Sequence, residues 1–403
     1  MKFAVSIISP PDYPHARSVW EVAETLHYGL VQLGHDSVIT FDTSTSDRQH
    51  ITLLPNMLVA YDGKLAPNTV LYNLDQIYPG SPWLQPVVLD HFLQYPLWDY
   101  SQANIDQLYQ MGIAPVQPVP IGYVPELTRI PALDEDIDVL FYGSVNQRRH
   151  QILESLRSEG VNVAEIFGLY GPERDAYIAR SKIVLNMHFY PAKVFEIVRV
   201  SYLLANRRFV ISERGCDPVE ESAFAPGIVF SDYDHLVETC LDFLDRPQDR
   251  THIAEVGFDL MAQRPETTYL EPALQAISAR SERADSFVFQ PDLYRKRQAA
   301  LCLEQGDYET AIALYEASLE VDSTCSLSYW NLGLALLLSG DEMAAQFCWG
   351  IGSAQTASGC TEASNAELFQ VLHQANLKQR ESQRIDLAER IERQILEMFP
   401  DAL

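Results

Sequence analysis

Short apolar runs alternate with segments of helical period along two successive stretches of this chain, and after residue 285 only the helical period remains. In the first stretch, residues 2–8 form an apolar run closed by Pro10 and Pro11, the pattern of a strand covered on both faces. Trp20, Ala23, His27, Leu30 and Leu33 then recur at helical spacing until Gly34, and residues 37–41 read as a second strand. Residues 57–61, 70–74 and 96–100 are further predicted strands, and Ser101 is placed to cap a helix that reaches Gln110. An acidic, Pro-bearing segment at 124–136 interrupts the pattern, which resumes with predicted strands at 138–142, 162–167, 183–187, 208–212 and 228–230 separated by helices. Parallel sheets with helices on both faces pack such an alternation most simply. The expected fold class is therefore α/β, with two Rossmann-like domains at residues 1–124 and 125–285.

Residues 286–403 are expected to be all-α. Gly306 and Gly340 lie 34 residues apart, as do Ala311 and Ala345, which is the tetratricopeptide period. The segments GDYETAIALYEASLEVD and YWNLGLALLLSGDEMAA carry the repeat, with small residues where paired helices approach. Two repeats fall short of the usual three or more, so the amphipathic tail at 366–399 is expected to supply capping helices. Tyr329, Asn331 and Leu334 are expected to line a groove for an extended peptide or protein; packing on the catalytic body or self-association is the alternative.

A formal net charge of −26 repels phosphate backbones and anionic lipid heads, which argues against nucleic-acid or membrane-surface partners. Neither an apolar run of about 20 residues nor a signal-peptide core is present, and a cytoplasmic protein is expected. The six cysteines are scattered without a C-x-x-C pair, as buried free thiols in a reducing compartment would be. D-x-D spacing occurs in the DEDID segment from Asp134 to Asp138, but it precedes a predicted strand instead of following one, so a solvated linker is expected and no metal site.

Any anion held by so acidic a chain needs a local basic site. The segment KIVLNMHFYPAKVFEIVRVSYLLANRRFVISE, from Lys182 to Glu213, offers one. A helix predicted to begin near Ala192 would aim its N-terminus across the end of the preceding strand, where free N–H groups favour a diphosphate. Lys193 and Arg199 would add charge, while Glu196 offers a bidentate acceptor for ribose hydroxyls.

The layout and this segment resemble the nucleotide-sugar-dependent glycosyltransferases of the GT-B fold, in particular the group-1, CgeB-like branch. The resemblance spans roughly residues 2–274 and rests on LVQLGHDSVITF, WDYSQANIDQL, VLFYGSVNQRRHQIL and LNMHFYPAKVFEIVRVSYLLANRRFVISE. Many members of the wider group carry two glutamates separated by seven residues in the last segment. Glu196 matches the second, which contacts the nucleotide ribose, and His188 stands at the first. The resemblance also implies that the turn after the strand at 138–142 lies near the donor phosphates, with Gly143 admitting the backbone and Arg148 or Arg149 neutralising the leaving diphosphate. Ser212 and Glu213 would face the donor sugar.

The implied activity is glycosyl transfer from a nucleotide-sugar co-substrate, without a cofactor, to a protein or glycan acceptor. An inverting enzyme would need a base for the acceptor hydroxyl; His15 is the candidate, since imidazoles titrate near neutral pH, with Asp12 the alternative. No G-x-G-x-x-G follows either first strand, which argues against a dinucleotide oxidoreductase. An inert scaffold acting through the repeats and a nucleotide-sugar epimerase are the competing readings.

Overall fold

The computed structural model describes all residues except 12, 79, 80, 283–290, 356–360 and 400–403. Two compact units divide at Phe287 and Val288. The first unit carries two parallel sheets. Strands β1 (Lys2–Ile7), β2 (Asp36–Thr40), β3 (Gln49–Leu53), β4 (Thr69–Asn73), β5 (Leu97–Asp99) and β6 (Val116–Pro118) pair in the order β2-β1-β3-β4-β5-β6. Strands β7 (Ile137–Tyr142), β8 (Val163–Ile166), β9 (Ser181–Asn186), β10 (Val210–Glu213) and β11 (Val229–Ser231) follow in the order β11-β10-β9-β7-β8.

Both orders reverse once, between β1 and β3 in the first sheet and between β7 and β9 in the second. Chains leaving two adjacent strands in opposite directions open a crevice at the strands' carboxyl ends, where open α/β sheets take ligands. Hydrophobic residues on one face of the second sheet, Val139, Phe141, Ile183 and Leu185 among them, pack against Leu153, Leu236 and Cys240 of the helices that cover it. Of the cysteines, Cys240 is buried as expected, whereas Cys216 is exposed.

The expected strand at 57–61 is instead a 3-10 turn, Pro55–Ala60. Leu54, at φ 58°, turns the chain sharply, and Pro55 opens the 3-10 turn with its fixed φ. The strand lies earlier, at Gln49–Leu53, in a segment whose His50 hides its polarity by bonding Ser6 Oγ at 3.1 Å and the Thr45 carbonyl at 2.7 Å. Ser101 caps its helix as expected, accepting from the Asn104 N–H.

The carboxyl edges of the two sheets face each other, because loops leaving strands of one touch loops leaving strands of the other. Gln76, after β4, holds Val194, after β9, through Nε2 to the carbonyl at 3.1 Å and through Oε1 from the N–H at 3.2 Å. His15, after β1, bonds the Tyr170 hydroxyl, after β8, at 2.6 Å. Arg174 of the helix Pro172–Ala179 makes a buried two-pronged pair with Glu21 of the helix Trp20–Gln32, at 2.8 and 3.2 Å. The chain crosses between the sheets twice, and the two crossings bridge at Tyr123 and Pro265.

In the second unit, helices Tyr308–Val321 and Glu342–Ala354 begin 34 residues apart, each capped by an aspartate, Asp307 and Asp341. Gly306 and Gly340 precede those caps at φ 84° and 109°, the left-handed conformation that ends the helix before each. Ala311 and Ala345 are fully buried, as the small-residue spacing requires. Leu334, expected in a groove, is 4% exposed and belongs to the core of the unit with Trp330 and Trp349. Its position on the helix Ser326–Ser339 turns it inward, toward the neighbouring helices.

Glu266 sits at the second crossing, 1% exposed, accepting from the Gly122 N–H at 2.6 Å. Burial pushes its carboxyl up to about 8 against that hydrogen bond. The folded chain keeps a proton there that the unfolded chain releases near pH 4.3, about the ordinary glutamate value. Its contribution is complete below that value and is lost as pH rises through about 8, at about 1.4 kcal/mol per pH unit. Glu266→Gln should therefore remove a fall of roughly 4 kcal/mol between pH 5 and 8, measured by urea unfolding at both values; parallel pH profiles of variant and parent would contradict this.

Candidate functional site

Asn146 caps the helix Gln147–Ser158, its side chain accepting from the Arg149 N–H at 2.9 Å, and so fixes where Arg148 and Arg149 leave the turn after β7. The two arginines part there. Arg148 turns to the end of β10, where its Nη1 bonds Glu213 Oε2 at 2.6 Å, its Nη2 bonds Glu213 Oε1, and Nη1 reaches the His188 carbonyl at 3.3 Å. Its guanidinium lies 3.9 Å from the Tyr233 ring centre, and the Tyr233 hydroxyl returns a bond to the Arg148 carbonyl at 2.8 Å.

Arg149 turns inward and is 2% exposed. It donates to the Ser144 carbonyl at 2.8 Å, to the Met187 carbonyl, and to Glu196 Oε1 at 3.3 Å. Burial lowers its pKa to about 10 even with Glu196 favouring the charge. A side chain so enclosed orients Glu196 and the strand end; the two arginines are not interchangeable.

Glu213 has no exposed surface. Besides Arg148 it accepts from the His188 N–H at 3.1 Å and pairs with Lys193 Nζ at 3.2 Å. Burial opposes its ionisation, but the hydrogen bonds from Arg148 outweigh that and hold the carboxyl below its ordinary value. Both cations keep about a third of their side chains exposed, at 29% and 36%. Ser212 lies beneath, fully buried, accepting from Asn186 Nδ2 at 3.0 Å.

His188 is 1% exposed and bonds the Glu213 carbonyl through Nε2 at 3.1 Å. A carbonyl only accepts, so Nε2 carries the proton and Nδ1 presents a lone pair. That buried Nδ1 has no partner among the described residues. Burial lowers the pKa of the ring, which favours this neutral form.

The helix expected from Ala192 begins at Ile197, with Glu196 as its N-cap. Lys193 lies in the loop before it at φ 46°, where its N–H bonds the Tyr190 carbonyl at 3.2 Å and its carbonyl receives the Cys216 N–H at 3.0 Å. Pro191 and these contacts keep the segment out of helix. The Glu196 side chain makes no capping bond and instead pairs with Arg149 and, at 3.5 Å, with Arg199. Arg199 also reaches Asn186 Oδ1 at 3.5 Å, lies 5.0 Å from the Tyr142 ring centre, and abuts Gly143, whose φ of 128° suits glycine.

Gly143, Arg148, Arg149, His188, Lys193, Glu196, Arg199, Ser212 and Glu213 thus gather at the carboxyl ends of β7, β9 and β10, beside the reversal in strand order. His15 stands across the cleft, its ring 4.9 Å from Phe167 and 5.6 Å from Tyr13. Asp12 lies outside the described residues. Sequence reasoning missed Asn186, Tyr142 and Tyr233, which position the cations; the strand-end places of Asn186 and Tyr142 were the signals that could have found two of them. A recess of about 420 Å³ opens beside Gly215, lined also by Arg214, Pro218, Glu221, Ala225 and Phe230. Among the described residues no group of three or more His, Cys, Asp or Glu side chains is arranged to hold a metal ion, and no helix is long and apolar enough to cross a membrane.

No protein-family model matches the chain. It is 29% identical over 187 residues to the uncharacterized protein L140 of Acanthamoeba polyphaga mimivirus, covering 44% of this chain and 59% of that protein. It is 33% identical over 113 residues to the uncharacterized protein L137 of the same virus, covering 27% of this chain and 15% of that protein. The chain therefore spans less than two thirds of the relatives it matches. Among solved structures it is similar to AviGT4, a glycosyltransferase involved in avilamycin A biosynthesis, with 15% identity, 69% of this chain and 97% of that one covered, and a TM-score of 0.42. It is also similar to WaaG, a glycosyltransferase involved in lipopolysaccharide biosynthesis, with 12% identity, coverage of 68% and 99%, and a TM-score of 0.47. Anabaena HepE, solved with UDP and glucose, has 11% identity, coverage of 69% and 98%, and a TM-score of 0.47. The assignment of two parallel-sheet layers stands on the strand pairing itself.

Replacing Glu213 by Ala should cost about 3 kcal/mol, because Arg148 and Lys193 lose their shared counter-ion and the His188 N–H its acceptor. Glu213's folded pKa is depressed, so its contribution is present above the ordinary glutamate range and is lost as pH falls through it. Unfolding of Glu213→Ala and parent at pH 7 and pH 4 should show the gap narrowing in acid; an equal gap at both values would disprove the charge pairing.

Proposed function

We propose that the chain transfers a sugar from a nucleoside-diphosphate donor to an acceptor hydroxyl. One observation carries this reading: three cations and a helix start converge on the strand ends where two opposed parallel sheets leave a crevice. Departure of a nucleoside diphosphate leaves negative charge on its terminal phosphate, and stabilising that charge is the main electrostatic demand of the reaction. Arg148, Lys193 and Arg199 are the partly exposed cations available for it. Glu196, held from below by buried Arg149, offers its carboxylate to the ribose hydroxyls. The buried lone pair of His188 Nδ1 is a ready acceptor for a hydroxyl of the donor sugar.

Glu196→Gln and Arg199→Ala should each cost roughly 2–4 kcal/mol of transition-state stabilisation, read as kcat/KM for donor turnover. Donor at 100 times its dissociation constant should stabilise the parent by about 2.7 kcal/mol in thermal unfolding. Parent-like turnover in both variants would remove the assignment, and a panel of nucleotide sugars that stabilises nothing would remove the function.

The second unit is, in this proposal, a tetratricopeptide-like module that brings a protein or glycan acceptor to the crevice by tethering. The repeated Gly–Asp turns at 306–307 and 340–341 and the buried Ala311 and Ala345 support the repeat reading. A recess of about 540 Å³ beside Leu327 and Trp330, with Gln355, Glu367 and Gln370 on its walls, gives the module a place to hold a polar chain. The chain ending at Phe287 should keep donor binding and slow donor hydrolysis but lose most transfer to an acceptor supplied by cell extract, measured with radiolabelled donor. Undiminished transfer would show that the module does not deliver the acceptor.

A further inference from the structure

A carboxylate stands in the cleft opposite the donor residues with no partner among the described residues. Beyond the end of β4, Asn73 donates to the Asp75 carbonyl at 2.9 Å and accepts from the Asp75 N–H at 3.3 Å, and Asn104 donates to the same carbonyl at 2.9 Å. The backbone at Asp75 is thereby fixed from two elements. The next residue, Gln76, ties this loop to Val194, between Lys193 and Glu196. So much bonding holds the main chain, yet the Asp75 carboxylate accepts no hydrogen bond and meets no cation among the described residues.

Its ionisable neighbours are Tyr13 from the loop after β1, Tyr190 from the loop after β9 and Tyr100 from the end of β5. Tyr190 is itself braced, receiving Trp83 Nε1 on its hydroxyl at 2.9 Å and lying 5.7 Å from the Tyr78 ring. Tyr100 and Tyr190 also lie in the field of Glu196, so carboxylates from opposite sheets flank the same two rings. Asp75 remains partly exposed, and burial pushes its carboxyl up to about 6. Behind it, Asn73 and Asn104 also bond Asp99, at 2.6 and 3.1 Å, and burial pushes that carboxyl to about 7. Asp99 is buried and hydrogen-bonded, so Asp75 is the one facing the cleft with lone pairs to spare. His15, by contrast, already has Nδ1 engaged by Tyr170.

Resting on the transfer reading above, we propose that Asp75 is the general base: its carboxylate takes the proton from the attacking acceptor hydroxyl. As that proton moves to Asp75, the hydroxyl oxygen bonds the anomeric carbon, and the bond from that carbon to the phosphate oxygen breaks with its electron pair leaving on the diphosphate. A single displacement of this kind inverts the anomeric configuration. A base ionising just below neutral pH suits the task, because it is both charged and basic at the working pH.

The test uses the full chain with UDP- and GDP-sugars as probes and water as acceptor. Calorimetry should show Asp75→Asn binding the donor within about twofold of the parent, while its kcat for donor hydrolysis falls about 100-fold or more. The parent rate should decline in acid around pH 6, and that limb should vanish in the variant; a limb persisting in Asp75→Asn belongs to Asp99 and overturns the proposal, as does a kcat within about threefold of the parent. His15→Ala should keep its kcat within about tenfold. The parent alone supplies a second measurement, the anomer of the released sugar read by NMR before mutarotation: inversion is expected and retention overturns the proposal. A parent that binds none of the donors sinks the transfer reading and this inference together, whereas binding and turnover untouched by Asp75→Asn sink only the inference.

Discussion

The site depends on one buried negative charge. Glu213 has no contact with solvent, so its ionised form is tolerable only because Arg148, Lys193 and the His188 N–H meet it. Those three partners come from the first turn of the helix after β7 and from the loop after β9, while Glu213 ends β10. Satisfying one carboxylate therefore brings three strand ends to a common geometry. The same contact places two cations at the crevice with part of their surface facing solvent, where an anionic ligand can reach them.

Arg149 does for the adjacent strand ends what Glu213 does for its own. Its fork spans the Ser144 and Met187 carbonyls and Glu196, so the turn after β7 is tied to the helix that begins at Ile197. Removing any member would leave a buried polar group uncompensated. Preorganised charge of this kind is what a transfer reaction with a diphosphate leaving group requires.

Polar ties join the two sheets' elements. Arg174 with Glu21 and Gln76 with Val194 cross between them, while Arg129 with Glu24, at 2.7 and 2.9 Å, and Glu266 with Gly122 anchor the segments that run from one to the other. Directional contacts hold the cleft walls in register while leaving room between them. Aromatic side chains from both sheets, among them Tyr13, Phe167, Tyr170 and Tyr190, line that room around His15 and Asp75. Asp75 stands among those rings as a carboxylate unpaired among the described residues.

Local pattern determined what local forces control. The alternation of apolar runs and helical spacing located nine of the eleven strands; β3, broken by the polar His50 and Thr52, and the three-residue β6 were not legible. The Ser101 cap and the paired Gly–Asp turns were equally legible, because each is settled within three or four residues. The residue types gathered at the site were legible too, since Lys193, Glu196 and Arg199 sit close in sequence. Tertiary structure alone decided their roles. Arg148 meets Glu213 across 65 positions, and Arg149 meets Glu196 across 47. Which of two adjacent arginines faces solvent depends on where strands β9 and β10 end beside β7. Asp75 carried no sequence signal, because its isolation is the absence of partners on elements far away in the chain. Period and capping are encoded by near neighbours; charge pairing and burial are properties of the packed sheets.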